Sequence, residues 1–158
     1  MLTPVHTRAR RARPQQGATI IEVLVALAIF AIGMLGIAGL YATAVRQASG
    51  AEYRTTAAML ANDLIGRMWM SDRTAATLQG NYGSSGNGAG YASWRAAVTN
   101  SGLPGADSST LAPTVTFSTV SGGGTSPVST SLATITIFWK GPGDATAHQY
   151  VALAQMKP

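Results

Sequence analysis

Few residues in this chain could do chemistry, and they stand far apart. There are two histidines and no cysteine among 158 residues. The missing thiols exclude a disulfide framework, a thiolate zinc site, an iron–sulfur cluster and a cysteine nucleophile. His6 lies in a basic N-terminal stretch, and His148 has only Asp144 close by in sequence. A serine joined to that pair would make a nucleophilic triad, but a solvated histidine at a strand edge is the simpler reading. The other carboxylates, Glu22, Glu52, Asp63, Asp72 and Asp107, are dispersed, and none shares a helical turn with a histidine, so no metal centre is expected. Asp107 with Ser108, Ser109 and Thr110 reads as a turn. Gly83-Ser84-Ser85-Gly86-Asn87-Gly88 lacks the preceding strand and the following Gly-Lys-Ser/Thr that a phosphate cradle needs. The inventory points to a protein that is not an enzyme and binds no cofactor.

One carboxylate is out of place. Glu22 stands at the mouth of an apolar run, between Ile20, Ile21, Val23 and Leu24. A charge at mid-bilayer costs about 2.5–3.5 kcal/mol on insertion scales and less near the interface. Its position calls either for a cationic partner or for a side chain long enough to reach the headgroups.

The element that positions Glu22 is a membrane helix. Val23 to Ala42 gives twenty residues without a charge, or about 30 Å of helix, the thickness of a bilayer core. The run is too long for a removable secretory signal, and Arg10-Arg11 has no twin-arginine context behind it. Arg8, Arg10, Arg11 and Arg13 precede the span and place the N-terminus on the cytoplasmic side. These four account for most of the net charge of +5. The remaining seven basic residues nearly balance six acidic ones, so no nucleic-acid partner is expected. Gly33, Gly36 and Gly39 do not stack on one face, and each costs about 1 kcal/mol of helix propensity. They suit either close packing between helices or a stretch that unwinds.

Beyond the span the pattern becomes amphipathic. Leu60, Leu64, Ile65 and Met68 recur at helical spacing opposite Arg54, Asp63 and Arg67, and nothing stops the helix before the glycine-rich stretch 80–90, which is expected to be a loop. Trp94, Ala97 and Val98 share one face of a short helix that ends before Gly102-Leu103-Pro104-Gly105. Strands are expected over Val115–Val120, Leu132–Lys140 and Gln149–Gln155, with turns at Gly122-Gly123-Gly124 and Gly141-Pro142-Gly143-Asp144. Ile135, Ile137 and Trp139 would lie on one sheet face and cover the helix stripe. The expected fold is α+β: a long N-terminal helix packed on a three- or four-stranded antiparallel sheet.

The string from Gly17-Ala18-Thr19-Ile20-Ile21-Glu22 into Val23-Leu24-Val25-Ala26-Leu27 resembles the class III signal of type IV pilins and pseudopilins. The segment Ile32-Gly33-Met34-Leu35-Gly36-Ile37-Ala38-Gly39-Leu40, with Trp94-Arg95 and Leu103-Pro104-Gly105 in the head, resembles PilV-type minor pilins. The resemblance implies that a prepilin peptidase cuts between Gly17 and Ala18, and that Ala18, which stands where the family usually has Phe, is the candidate for N-methylation. It also implies that Glu22 pairs with the α-amine of a neighbouring subunit. The implied organisation is a leader over 1–17, a transmembrane and assembly helix over 18–44, the amphipathic half of the stem over 45–79, and an α+β head over 80–158. The implied role is that of a minor pilin that primes type IV pilus assembly, with other minor pilins, the major pilin, the inner-membrane assembly platform, a tip adhesin and membrane lipid as partners. The head would be periplasmic first and then displayed on the cell surface. A pseudopilin of a type II secretion system shares the leader. A membrane-anchored exported enzyme or DNA-uptake module is the alternative of another class.

Overall fold

The computed structural model describes residues 16–120 and 130–157. The leader arginines and the Gly122-Gly123-Gly124 turn lie outside the described residues. The elements in order are α1 (Gln16–Trp69), α2 (Ala75–Tyr82), α3 (Ala89–Thr99), a short 3-10 turn (Ser109–Leu111), β1 (Thr114–Val120), β2 (Thr130–Trp139) and β3 (His148–Met156). The chain divides between Val45 and Arg46 into two compact units. The first holds the apolar part of α1. The second holds the rest of α1 and an α+β head.

Within the head, α1 buries one stripe: Ala57, Ala61, Leu64 and Met68, each at 0% exposure. Their spacing of four, three and four residues keeps them within about 40° on a 3.6-residue helix. Leu60 and Ile65 were expected in the core with them, but they are only half-buried and pack at its margin. Each lies about 70° from the midline of the stripe, where the helix surface turns away from its neighbours.

The helix ends at Trp69, short of the expected boundary at residue 79. Sequence polarity explains the stop. The Ser71 amide and hydroxyl both donate to the Met68 carbonyl, at 3.2 and 2.9 Å, and the Asp72 carboxylate accepts from the Thr74 amide at 2.9 Å. Side chains thus offer the backbone local partners that compete with the helical ladder. A new helix, α2, starts after Thr74 and buries Leu78 and Tyr82.

The stretch 80–90 is also more ordered than its composition suggested. It contains the end of α2, a tight turn and the start of α3. A Cβ at Gly88 would overlap the carbonyls of Gly80 and Asn81, and one at Gly90 would overlap the Tyr82 ring. These glycines serve close approach between two helices.

The sheet has the order β1-β2-β3, antiparallel throughout, with Val115 opposite Ile135 and Ile135 opposite Ala152. Ala133, Ile135, Ile137 and Trp139 of β2 are buried, as the period-two alternation predicts. They join the α1 stripe, Leu78, Tyr82, Tyr91, Trp94, Val98, Val115 and Met156 in one core. Aromatic side chains also bond to backbone across this core. Trp94 Nε1 donates to the Leu60 carbonyl at 2.9 Å, Tyr82 to the Arg67 carbonyl at 3.4 Å, and Tyr91 to the Pro113 carbonyl at 2.6 Å. Each ring is buried without stranding its polar atom.

Two measurements test this packing. In a fragment starting at Arg46, which should be soluble with a mixed α/β circular dichroism spectrum, Trp139→Ala should lower the unfolding free energy by about 3–5 kcal/mol; a loss under about 1 kcal/mol would remove Trp139 from the core. Burial, partly offset by the nearby Arg95 charge, holds the Tyr91 phenol above its ordinary value of 10.0. The phenol is neutral in both folded and unfolded chains below pH 10.0. Above it the unfolded chain loses the proton first, so stability falls as pH rises toward the raised folded value. Urea midpoints at about pH 9 and about pH 11 should differ less in Tyr91→Phe than in the parent.

Candidate functional site

The candidate site is the exposed surface of the first half of α1. Ile20, Ile21, Leu24, Leu27, Ile29, Phe30, Ile32, Leu35 and Ile37 are all exposed, several on each side of the helix. No 18-residue window of comparable hydropathy in the described chain is covered by other parts of the molecule, since the apolar window of α1 is 0% buried. A soluble domain rarely leaves so much contiguous apolar surface bare. Here it runs around the whole helix, the pattern of a segment meant for lipid or for other helices.

Gly17 and Ala18 lie in the first turn of α1, which begins at Gln16. Glu22 follows on the same helix and is exposed. Among the described residues it has neither a hydrogen bond nor an ion pair, the ion pairs being Arg67 with Asp63 at 2.9 Å and His148 with Asp144 at 3.1 Å. Within this chain nothing offsets the cost of moving its carboxylate out of water.

Gly33, Gly36 and Gly39 sit in uninterrupted helix, and a Cβ at any of them would meet no heavy atom within 4 Å. The chain itself therefore imposes no steric demand for glycine at these positions. Four residues after Gly39, the Thr43 hydroxyl donates to the Gly39 carbonyl at 3.0 Å, a back-bond that adds a second partner to a helical acceptor.

The other sequence candidate, His148 with Asp144, forms a turn lock. Asp144 Oδ2 accepts from the Gly141 amide at 2.9 Å and contacts His148 Nε2 at 3.1 Å, while the imidazole stacks on Trp139 at 5.9 Å between ring centroids. The carboxylate is thereby engaged in closing the β2–β3 connection. Among the described residues no group of three His, Asp or Glu side chains converges.

The structure brings the head candidates Leu64, Met68, Trp94, Ile135, Ile137 and Trp139 into one core, with Leu60 and Ile65 at its edge. It leaves Glu22 and the three glycines together on α1. Sequence reasoning missed Tyr82 and Tyr91, whose rings complete that core. Their spacing to Leu78 and Trp94, four and three residues, was the available helical signal.

Against known proteins, residues 12–38 match the family model for the prokaryotic N-terminal methylation motif. No curated protein and no solved structure matches the chain. The matched stretch contains Gly17, Ala18, Glu22, Gly33 and Gly36, and coincides with the exposed apolar half of α1. It supports a type IV pilin-like or pseudopilin protein, and it is consistent with membrane anchoring through that helix. The chain carries, at its N-terminus, the signal of type IV pilin-like proteins.

Proposed function

We propose that this chain is a minor pilin that primes assembly of a type IV pilus and is incorporated at or near its tip. In this reading residues 1–17 are a cytoplasmic leader, a prepilin peptidase cuts between Gly17 and Ala18, and the new α-amine at Ala18 is a substrate for methylation. The helix stays in the inner membrane with the head on the periplasmic side until the subunit passes into a filament. The protein acts through contacts with other minor pilins, the major pilin, the assembly platform and a tip adhesin, without a catalytic step or a cofactor.

The observation that carries the reading is the methylation motif lying on a helix that is apolar and bare around its circumference. Such a helix is covered by lipid before assembly and by neighbouring helices after it. Glu22 supports the same reading, because a carboxylate without a partner in its own chain can offset the desolvation of a neighbour's α-amine. Gly33, Gly36 and Gly39 fit it too, since any need for small residues there comes from another molecule. A pseudopilin of a type II secretion system uses the same motif and helix, and the assay below separates the two.

Glu22→Val should be inserted and cleaved at least as well as the parent, because a neutral side chain enters the bilayer more readily. Assembly should nevertheless fail, an uncompensated buried amine costing about 3–5 kcal/mol. Electron microscopy should then show few or no surface pili, with the major pilin retained in the inner membrane. Glu22→Asp, which keeps the charge at shorter reach, should restore piliation in part. Gly17→Leu should leave the leader attached, as mass spectrometry of the assembled protein would reveal. Normal numbers of pili containing Glu22→Val would overturn the pairing. A secretion defect with piliation intact would instead assign the chain to a secretion system.

A further inference from the structure

The two edges of the sheet are not equivalent. At the β1 edge, the Ser84 amide and hydroxyl both donate to the Val115 carbonyl, at 3.0 and 3.1 Å, and α2 packs alongside. The β3 edge has no such cover. No backbone hydrogen bond joins β3 to any described residue outside β2.

That open edge also lacks every device that keeps sheets from pairing with other chains. From His148 to Met156 it has nine residues with no Asp, Glu, Lys, Arg, Pro or Gly. Its register against β2 is continuous over the whole length, without a bulge. On its outer face Gln149, Val151, Leu153 and Gln155 alternate with the inward Tyr150, Ala152, Ala154 and Met156. Val151 is 46% exposed and Leu153 64%. The β2 neighbours of these two in the same rows are Thr136 and Thr134, so a strand laid against β3 would find an apolar centre between two polar ends.

We infer that the β3 edge is a docking site for an extended, uncharged strand donated by a different polypeptide, apolar at the positions beside Val151 and Leu153. Main-chain hydrogen bonds would supply the attraction and the apolar pairs the register. Two geometric arguments exclude a copy of the same chain. Head-to-tail pairing needs a free β1 edge, which Ser84 and α2 occupy. Pairing β3 with β3 antiparallel places a two-fold axis normal to the sheet, and that axis reverses every direction in the sheet plane. The outer part of α1, lying across the sheet with Ala57, Ala61, Leu64 and Met68 in the shared core, would then leave the two heads in opposite directions. Two copies anchored in one membrane by the same end of α1 cannot meet that condition. This second exclusion rests on the membrane-anchored reading proposed above.

The probe is a free peptide reproducing His148 to Met156. Its outer-face pattern of Gln, Val, Leu and Gln reads alike in both directions, so it can lie antiparallel on β3 with Leu against Val151 and Val against Leu153. Having no stem, it escapes the two-fold restriction. With the full chain in phospholipid nanodiscs, the labelled peptide should bind saturably, and hydrogen exchange should slow about tenfold or more at alternate amides of β3 while β1 is unchanged. Two adjacent prolines at the centre of the peptide should abolish binding. Leu153→Lys, at an exposed position, should leave the circular dichroism spectrum unchanged and weaken binding about threefold to fivefold. The chain has no cysteine of its own, so Ala152→Cys in intact membranes reports self-pairing directly, and no disulfide-linked dimer is expected. Such a dimer would make the occupant a second copy and overturn the inference. So would a peptide that fails to saturate below about 1 mM, binds equally with its prolines, or protects amides outside β3. None of these readouts depends on piliation, so a failed Glu22 experiment would leave them intact.

Discussion

The head depends on a single requirement: one stripe of α1 must be taken out of water while the rest of that helix face stays wet. Ala57, Ala61, Leu64 and Met68 supply the stripe, and it is narrow because two of its four members are alanines. Small side chains give little apolar area but permit close approach. The bulk that fills the space comes from the other side, as Ile135, Ile137 and Trp139 on β2 and Trp94 on α3. Large residues facing small ones is how two elements interdigitate to native density.

The same helix solves two different solvation problems along its length. Up to Val45 it is apolar on every side and holds no internal contact partner, so its stability as a helix comes from backbone bonds that need no water. From Arg46 onward it is one-sided, and polar residues such as Arg54 and Asp63 occupy the face away from the sheet. The change of pattern coincides with the boundary between the two compact units. The covalent backbone crosses that boundary in unbroken helix, through Ser49 and Gly50. Two units with unlike solvents are thus joined by hydrogen bonds rather than by a linker.

Much of this was legible in the sequence because it rests on periodicity. The uncharged run from Val23, the four-and-three spacing of Leu60, Leu64 and Met68, and the alternation of Ile135, Ile137 and Trp139 each declare their element. Three β-strands were found within two residues of their ends for the same reason. The break after Trp69 was not legible, because it comes from Ser71 and Asp72 bonding to particular backbone atoms, and Ser and Asp also occur on helix surfaces without breaking them. Leu60 and Ile65 were placed too deep since hydrophobicity alone does not tell the middle of a stripe from its flanks. At the N-terminus, residue types located Gly17, Ala18 and Glu22 correctly on one helix, but what they meet is another molecule, which no intrachain pattern describes.

The junction between α2 and α3 looks, by composition, like the natural place to insert a tag or a fluorophore: it is rich in glycine, serine and asparagine, and most of it is on the surface. Its backbone atoms are in fact wedged together, with Gly88 against the carbonyls of Gly80 and Asn81 and Gly90 against the Tyr82 ring. Tyr82 in turn holds the last turns of α1 through the Arg67 carbonyl. Lengthening that junction would pry α3, and Trp94 with it, from the stem. Engineering of the head is better directed at residues whose neighbours are solvent, such as Gly102 and Gly143, where added side-chain atoms would meet no other atoms, although the positive φ of both favours glycine or asparagine.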